Sequence, residues 1–485
     1  MMPGRSCTQM STAAFGILGH RFQVKPGCLV QTGPESSSLA DMATPKTTQR
    51  KKNSTVRHTR AIQYDRTKRP NSMPLAPQVS EELTQIVHPH TLGQVAHFHR
   101  LGLRERVLTL PVMVALVLTM IWRQIGSATE LVRLLRQEGF LWCSPVQVTE
   151  QALSQRLCAF PAALFQRVLE DILPAMHARW AARARPVPPV IAWVRDRYAQ
   201  VWAVDGSTLD VLLRKVGLLR GAEHPPLAGR MTALLDLCSR LPRQLWYEED
   251  PQANDQRFWP RIQAALERGA LLLYDLGYTN FTVFRQLTAA GVTWVTRAKS
   301  NLAYTVEACL VHTAQVRDEL VWIGSGADRQ LVRLVQVLVG TTWRRYLTSE
   351  LDAARLPAGH VAALYAQRWR IEEAYLLVKR LLGLAYFWTG SPNGVALQLW
   401  ATWLLYAVLI DLTDQVAAQL HLPVAALSVE MTYRSLYYFT SAHQQGKATE
   451  LVPYLAENAD WLGIIKRQRK RKTTTPDLLT NPAGA

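Results

Sequence analysis

Three carboxylates are the residues whose type and placing could do chemistry. Asp205 ends an apolar run in "QVWAVDGSTLD" (200–210), Asp275 ends another in "GALLLYDLGYTN" (269–280), and a Gly-containing turn follows each. A carboxylate at the end of a buried strand is either an ordinary turn former or a ligand, because a charge left in the core is costly. The third acid, Glu372, lies in "YAQRWRIEEAYLLVK" (365–379). That stretch has no Gly, Pro or β-branched run, and its Ala, Leu, Glu, Arg and Lys favour helix. With Tyr365 at zero and about 100° per residue, Arg368, Glu372 and Lys379 fall at roughly 300–340°, so the four share a stripe about 60° wide. Leu364, Ile371 and Val378 make a buried seam beside it. Glu373 falls with Arg370 and Arg380 on the side expected to be wet. Taken alone, this is an amphipathic helix with an i,i+4 Arg368–Glu372 pair. Taken together, three converging carboxylates make an oxygen-rich site for two Mg²⁺ ions, or Mn²⁺. Two such ions about 4 Å apart would activate an attacking hydroxyl and stabilise the leaving oxygen of a phosphoryl transfer.

The elements that must position these acids follow from pattern. Residues 191–445 begin with short apolar runs at 200–210, 231–250, 269–280 and 291–300, the second broken by a Pro turn, all of them predicted strands. Residues 303–347 are rich in Val, Leu, Thr and Trp without helical period, so further strands are expected. A helix at about 360–383 and an apolar helix at 394–415 close the region. The class expected is α/β, a mixed sheet flanked by helices. Residues 76–190 read as a helical domain. Ser127-x-x-Glu130 and Ser144-Pro145-x-Gln147 have the form of capping boxes, and 127–160 could be a helix, a turn and a second helix that contacts DNA, or simply a helical pair. Residues 1–75 lack periodic apolarity and read as a disordered tail, in which Met42 is an alternative start; 446–485 reads as a basic C-terminal tail.

The chain has 485 residues, 48% of them hydrophobic, enough for two or three domains with real cores. Its 55 Lys and Arg exceed 37 Asp and Glu, for a net charge of +18. Residues 42–70 hold nine basic residues and one acid, and "KRQRKRK" (466–472) holds six more, so these two stretches carry +14 of the total. Charge of this density suits a polyanion, most often nucleic acid. Six scattered cysteines form no CxxC or Cys/His cluster, which argues against a structural zinc or a disulfide framework and for a reducing, cytoplasmic setting. The apolar runs 108–122 and 395–410 fall short of the roughly 20 residues of a bilayer span, so buried helices and no membrane association are expected. No charged and then apolar leader is evident, so no secretion signal is expected.

The motifs resemble those of DDE transposases of the insertion-sequence-four family. That family carries a first Asp in D-G-[ST], a second in D-x-G-Y, and then Y-(2)-R-(3)-E-(6)-K. Here these are Asp205-Gly206-Ser207, Asp275-Leu276-Gly277-Tyr278, and Tyr365, Arg368, Glu372 and Lys379. "YLTSE" (346–350) and Arg297 are similar too. The resemblance covers roughly 190–440 and implies a ribonuclease-H-like core with a β-rich insertion at about 303–345. It implies Asp205, Asp275 and Glu372 as catalytic metal ligands. It implies Tyr365, Arg368 and Lys379 as contacts to DNA phosphates, with Arg297 nearby. Some members flip a base onto tryptophan, a role open to Trp369 or Trp343, for which core packing is the alternative. The implied activity is cut-and-paste transposition of an insertion sequence: endonuclease nicking at element ends, then strand transfer to target DNA. The partners would be double-stranded DNA and, in the complex, a second copy of the chain in a bacterial nucleoid. The alternative is a non-catalytic DNA-binding protein derived from a transposase.

Overall fold

The computed structural model describes residues 77–103, 106–125, 128–209, 229–250, 253–384 and 391–467. The tail 1–75, Ser127 and the basic residues beyond 467 lie outside them. The described residues up to 195 are helical: α1 (Pro77–Gly93), α2 (Val95–Arg100), α3 (Leu110–Trp122), α4 (Ala128–Gln137), α5 (Glu150–Ala159), α6 (Ala162–Ala182) and α7 (Pro189–Arg195). Strands β1 (Gln200–Thr208), β2 (Arg230–Asp236) and β3 (Pro242–Glu248) follow. Then come α8 (Trp259–Ala265), β4 (Ala270–Tyr274), α9 (Phe281–Ala289) and β5 (Thr293–Arg297). Four further strands are β6 (Tyr304–His312), β7 (Val316–Ile323), β8 (Gln330–Val339) and β9 (Thr342–Thr348). The chain closes with α10 (Ala358–Gln367), α11 (Trp369–Leu376), α12 (Pro392–Gln419), α13 (Val429–Gln444) and α14 (Leu451–Glu457).

Among the described residues the strands form one nine-stranded mixed sheet in the order β3-β2-β1-β4-β5-β9-β8-β7-β6. β1, β4 and β5 are parallel to one another and the other pairings are antiparallel. Both faces are covered, which is why Val201–Val204 of β1 and the whole of β4 are apolar rather than alternating. Trp202, Val204, Leu272, Tyr274 and Trp294 pack on the side of α8 and α9. Val201, Ala203, Leu271, Leu273 and Val295 pack on the side of α7 and α10. The odd-numbered positions of these strands therefore face α10. β6–β9, where a β-rich insertion was expected, continue the same sheet through the β5–β9 pairing rather than folding apart from it.

The helices build a further core around α12, which Met231, Ala233 and Leu235 of β2 and Leu245 of β3 also join. Ser391 caps α12 by accepting from the Gly394 N–H at 3.1 Å, and Pro392 sits in its first turn, so the helix is longer than the apolar run that marks it. By length and composition α12 could cross a bilayer, but its most apolar window is wholly buried against protein. Asp411 and Asp414 on α12 pair with Arg179, Arg183 and Arg185 at and beyond the end of α6.

Three sequence expectations change. α5 starts at Glu150 with Thr149 as its cap, not at Ser144, because Val146 N–H is drawn back to the Leu135 carbonyl. The connection between α4 and α5 spans residues 138–149 and contains a Phe140–Cys143 bridge, too long for the 3–4-residue turn of a helix-turn-helix. The stretch read as a tail from 446 is folded through 467: α14 buries Leu451 and Leu455, and Leu462 and Ile464 join the core. The charge run at 466 hid that apolar spacing.

Candidate active site

The register of the sheet brings the two aspartates together. The parallel β1–β4 pairing ends at Val204 opposite Tyr274, so Asp205 and Asp275 are the next residues on adjacent strands. Asp275 follows the end of β4, as expected. Asp205 is not at a strand end: β1 runs on to Thr208, paired with β2 through Asp205 opposite Ala233. Both positions are odd, so both fall on the α10 face.

The predicted helix is two helices joined at Arg368, then a π turn over Leu377–Leu381. Leu364, Ile371 and Val378 are fully buried, as the seam requires. Arg368, only 5% exposed, is the hub: Nη1 lies 3.0 Å from Asp205 Oδ2, and Nη2 lies 2.9 Å from Glu372 Oε1 and 3.9 Å from Asp275 Oδ2. Three acids from β1, from the end of β4 and from α11 thus meet on one guanidinium. Tyr365, buried, donates to Asp275 Oδ1 at 3.0 Å. The π turn carries Lys379 off the α-helical phase, and its Nζ donates to Ser207 Oγ at 2.7 Å and to the Thr208 carbonyl at 2.6 Å. Lys379 therefore ties the D-G-S segment to the helix that holds Glu372. Trp369 is 60% exposed at the start of α11, free to stack. Trp343 on β9 carries the Arg317 guanidinium 4.9 Å over its ring. Arg297 ends β5 opposite Tyr346. Glu373 points away from the hub, to Arg370 at 2.9 Å. Glu373 is exposed, as the helical phase implies; burial pushes its carboxyl up, but Arg370, Lys466 and Arg240 outweigh that and hold it below the usual range.

Burial raises Asp205 to about 6, against the lowering pull of Arg368 and of the Gly206 N–H, which it accepts at 2.8 Å; Asp255 and Glu372 add to the rise. The donor set is right in kind for a hard cation, but its centre is filled by Arg368. Among the described residues no group of three His, Cys, Asp or Glu side chains is spaced to hold a metal ion.

Sequence reasoning missed two residues that build the site, Tyr375 and Asp255. Tyr375, buried one turn beyond Glu372, donates to the Asp205 carbonyl at 2.6 Å and accepts the Ala233 N–H at 3.0 Å, pinning α11 to both β1 and β2. Asp255, ion-paired to Arg230, wedges between the turns that carry Asp205 and Asp275. A Cβ at Gly206 would stand 2.5 Å from Asp255 Oδ1, and one at Gly277 would stand 2.6 Å from Asp255 Oδ2. Neither glycine needs a left-handed backbone; each is there because the same carboxylate lies against it. The signal in the sequence was the glycine after each aspartate, which marks a close approach without naming its partner.

Residues 223–408 match the family model of the transposase DDE domain. The match takes in Asp275, Tyr365, Arg368, Glu372 and Lys379 and leaves out Asp205. The chain is also 30% identical over 188 residues to "Putative transposase y4zB" of Sinorhizobium fredii (strain NBRC 101917 / NGR234), an alignment of 37% of this chain and 52% of that protein. The match thus spans about half the length of that relative. Among solved structures, the chain is similar to the piggyBac transposase synaptic complex with hairpin DNA, at 12% identity and a TM-score of 0.38, over 84% of this chain and 88% of that one. A likeness at that score decides nothing about the fold.

Proposed function

We propose that this chain is a DNA transposase of the insertion-sequence-four kind, with a ribonuclease-H-like core, that cuts element ends and joins them to target DNA. The observation that carries the proposal is the meeting of Asp205, Asp275 and Glu372 on Arg368, with the last three of these residues inside the segment that matches the transposase DDE domain. The three carboxylates would hold Mg²⁺ or Mn²⁺, two ions per site, which when bound supply a Lewis acid and an activated nucleophile. The rest falls to the chain's own groups. Arg368 must leave its carboxylates before it can take a DNA phosphate as a bidentate fork. Tyr365 must likewise exchange Asp275 for a phosphate oxygen, whereas Lys379 already stands beside Ser207 as a point charge. Trp369 offers an open ring for an unstacked base. Double-stranded DNA is the partner, engaged by two copies of the chain.

Supercoiled plasmid carrying the element ends, incubated with the protein and Mg²⁺ or Mn²⁺, should be nicked, and chelation should stop it. Arg368 filling the space between the acids favours the second reading, a non-catalytic DNA-binding protein. Tight binding of the ends with no nicking under either metal would decide for that alternative.

A further inference from the structure

Five of the six carboxylate oxygens of Asp205, Asp275 and Glu372 are engaged by the chain itself. Asp205 Oδ2 faces Arg368 Nη1 at 3.0 Å, and its Oδ1 accepts the Gly206 N–H at 2.8 Å. Asp275 Oδ1 accepts from Tyr365 at 3.0 Å, and its Oδ2 lies 3.9 Å from Arg368 Nη2. Glu372 Oε1 takes the same Nη2 at 2.9 Å, and among the described residues only its Oε2 has no partner. Mg²⁺ takes its oxygens at about 2.0–2.1 Å. It cannot do so here while a guanidinium holds one oxygen of each acid.

Arg368 is not held as a structural arginine is. Arg333 on β8 shows the difference. It is fully buried, its Nε and Nη2 both bind Asp318, and its Nη1 donates to the Leu356 carbonyl at 2.7 Å, so every nitrogen is used. Arg368 is nearly as buried, yet it spreads two Nη groups over three acids, makes no bidentate pair, and leaves Nε buried without an acceptor. Bidentate pairs are the strong ones, and an idle buried donor is costly. One guanidinium among three carboxyl groups also leaves an excess of acid. The contact is therefore open to exchange for a ligand that satisfies the guanidinium better. A phosphodiester is such a ligand, because its two free oxygens match the fork. Tyr365 is placed the same way, with its hydroxyl proton given to Asp275 Oδ1.

We propose that Arg368 occupies the cation position in the DNA-free chain, so that a DNA phosphate and a divalent cation bind this site cooperatively. A phosphate that draws off Arg368 and Tyr365 frees Asp205 Oδ2, both oxygens of Asp275 and Glu372 Oε1 at once. This control rests on the DNA-cutting reading of the site: the acids take up the cation tightly only when DNA is in place, and the site stays idle otherwise.

Mn²⁺ is the probe, followed by its electron paramagnetic resonance signal with the full chain. Without DNA, the unaltered protein should bind Mn²⁺ at least about 10-fold more weakly than Arg368→Gln does. A duplex of element-end sequence, its own Mn²⁺ uptake subtracted, should raise the Mn²⁺ affinity of the unaltered protein by about 10-fold or more. Mn²⁺ should raise the duplex affinity by the same factor, as linkage requires. Equal Mn²⁺ affinity in the unaltered and Arg368→Gln chains overturns the proposal, and so does a duplex that leaves Mn²⁺ affinity unchanged. Should the variant fail to fold, the comparison with and without duplex, made on the unaltered protein, still decides. Coupled binding without nicking would count against the DNA-cutting reading and leave the coupling standing, whereas nicking with uncoupled binding would do the reverse.

Discussion

At the scale of single residues, adjacent glutamates have different work because of where their side chains end. Glu372 meets Arg368 beside Asp205, whereas Glu373 neutralises a cationic group made of Arg370, Lys466 and Arg240. Glu372→Gln should lower strand nicking by at least about 100-fold while DNA binding persists. Glu373→Gln should leave nicking within a few-fold and instead cost about 1 kcal/mol in urea unfolding. The reverse ranking would remove Glu372 from the chemistry. Asp205 gives a second test. Its carboxyl titrates near 6 in the fold, above the ordinary value of 3.8, because burial disfavours its charge. The fold therefore binds that proton more tightly than the unfolded chain does. The contribution to stability is fully present below about pH 3.8 and is lost as pH rises through about 6. In EDTA, Asp205→Asn should gain on the unaltered protein between pH 4 and 7, by at most on the order of 3 kcal/mol. A stability difference that does not move with pH would contradict the raised value.

At the scale of elements, the site depends on a junction of strands and helices held by few contacts. Asp255 presses on Gly206 of β1 and on Gly277 after β4, so one short side chain sets the spacing of the two turns that carry the aspartates. Gly277→Ala should destabilise the protein and slow nicking by about 10-fold or more, since small misplacements of reacting groups are costly. Adding Asp255→Ala should relieve part of the stability loss, with a coupling of about 0.5–3 kcal/mol in a double-mutant cycle. Additive losses would mean that the carboxylate and the glycine do not constrain each other. The ion cluster between α6 and α12 is a second junction. The Asp411 side chain is 1% exposed and takes both Arg179 and Arg183, so Asp411→Asn leaves Arg179 without its carboxylate and Arg183 with Asp414 alone, and should cost about 3–5 kcal/mol.

At the scale of the whole molecule, most of the net charge lies far along the sequence from the three acids. The stretches 42–70 and 466–472 hold +14 of the net +18. Lys466 belongs to the fold: its N–H donates to the Ala426 carbonyl at 2.8 Å, and burial first, then Arg240, lowers its side chain to about 8. Deleting 1–75 and 468–485 should therefore leave folding intact and flatten the log–log dependence of DNA affinity on salt, one phosphate contact at a time. An unchanged slope would place the phosphate contacts on the body.

What the sequence determined by itself is what local periodicity and residue type can carry. The stripe of Tyr365, Arg368 and Glu372, the buried seam beside it, the apolar strands and the burial of 108–122 were all legible, because side-chain direction in a helix or strand repeats over a few residues. The strand grammar around Asp205 and Asp275 was legible for the same reason. What only the tertiary structure decided depends on segments distant in the chain. That Asp205 follows Val204 opposite Tyr274 is a fact of register between strands 70 residues apart. That Arg368 fills the space between three acids, and that Asp255 lies against both glycines, follows from that register and from nothing near those residues in sequence. The π turn that swings Lys379 to Ser207 was hidden for the same physical reason: hydrogen-bond partners and burial are properties of the packed chain, and a sequence lists only the groups that must find them.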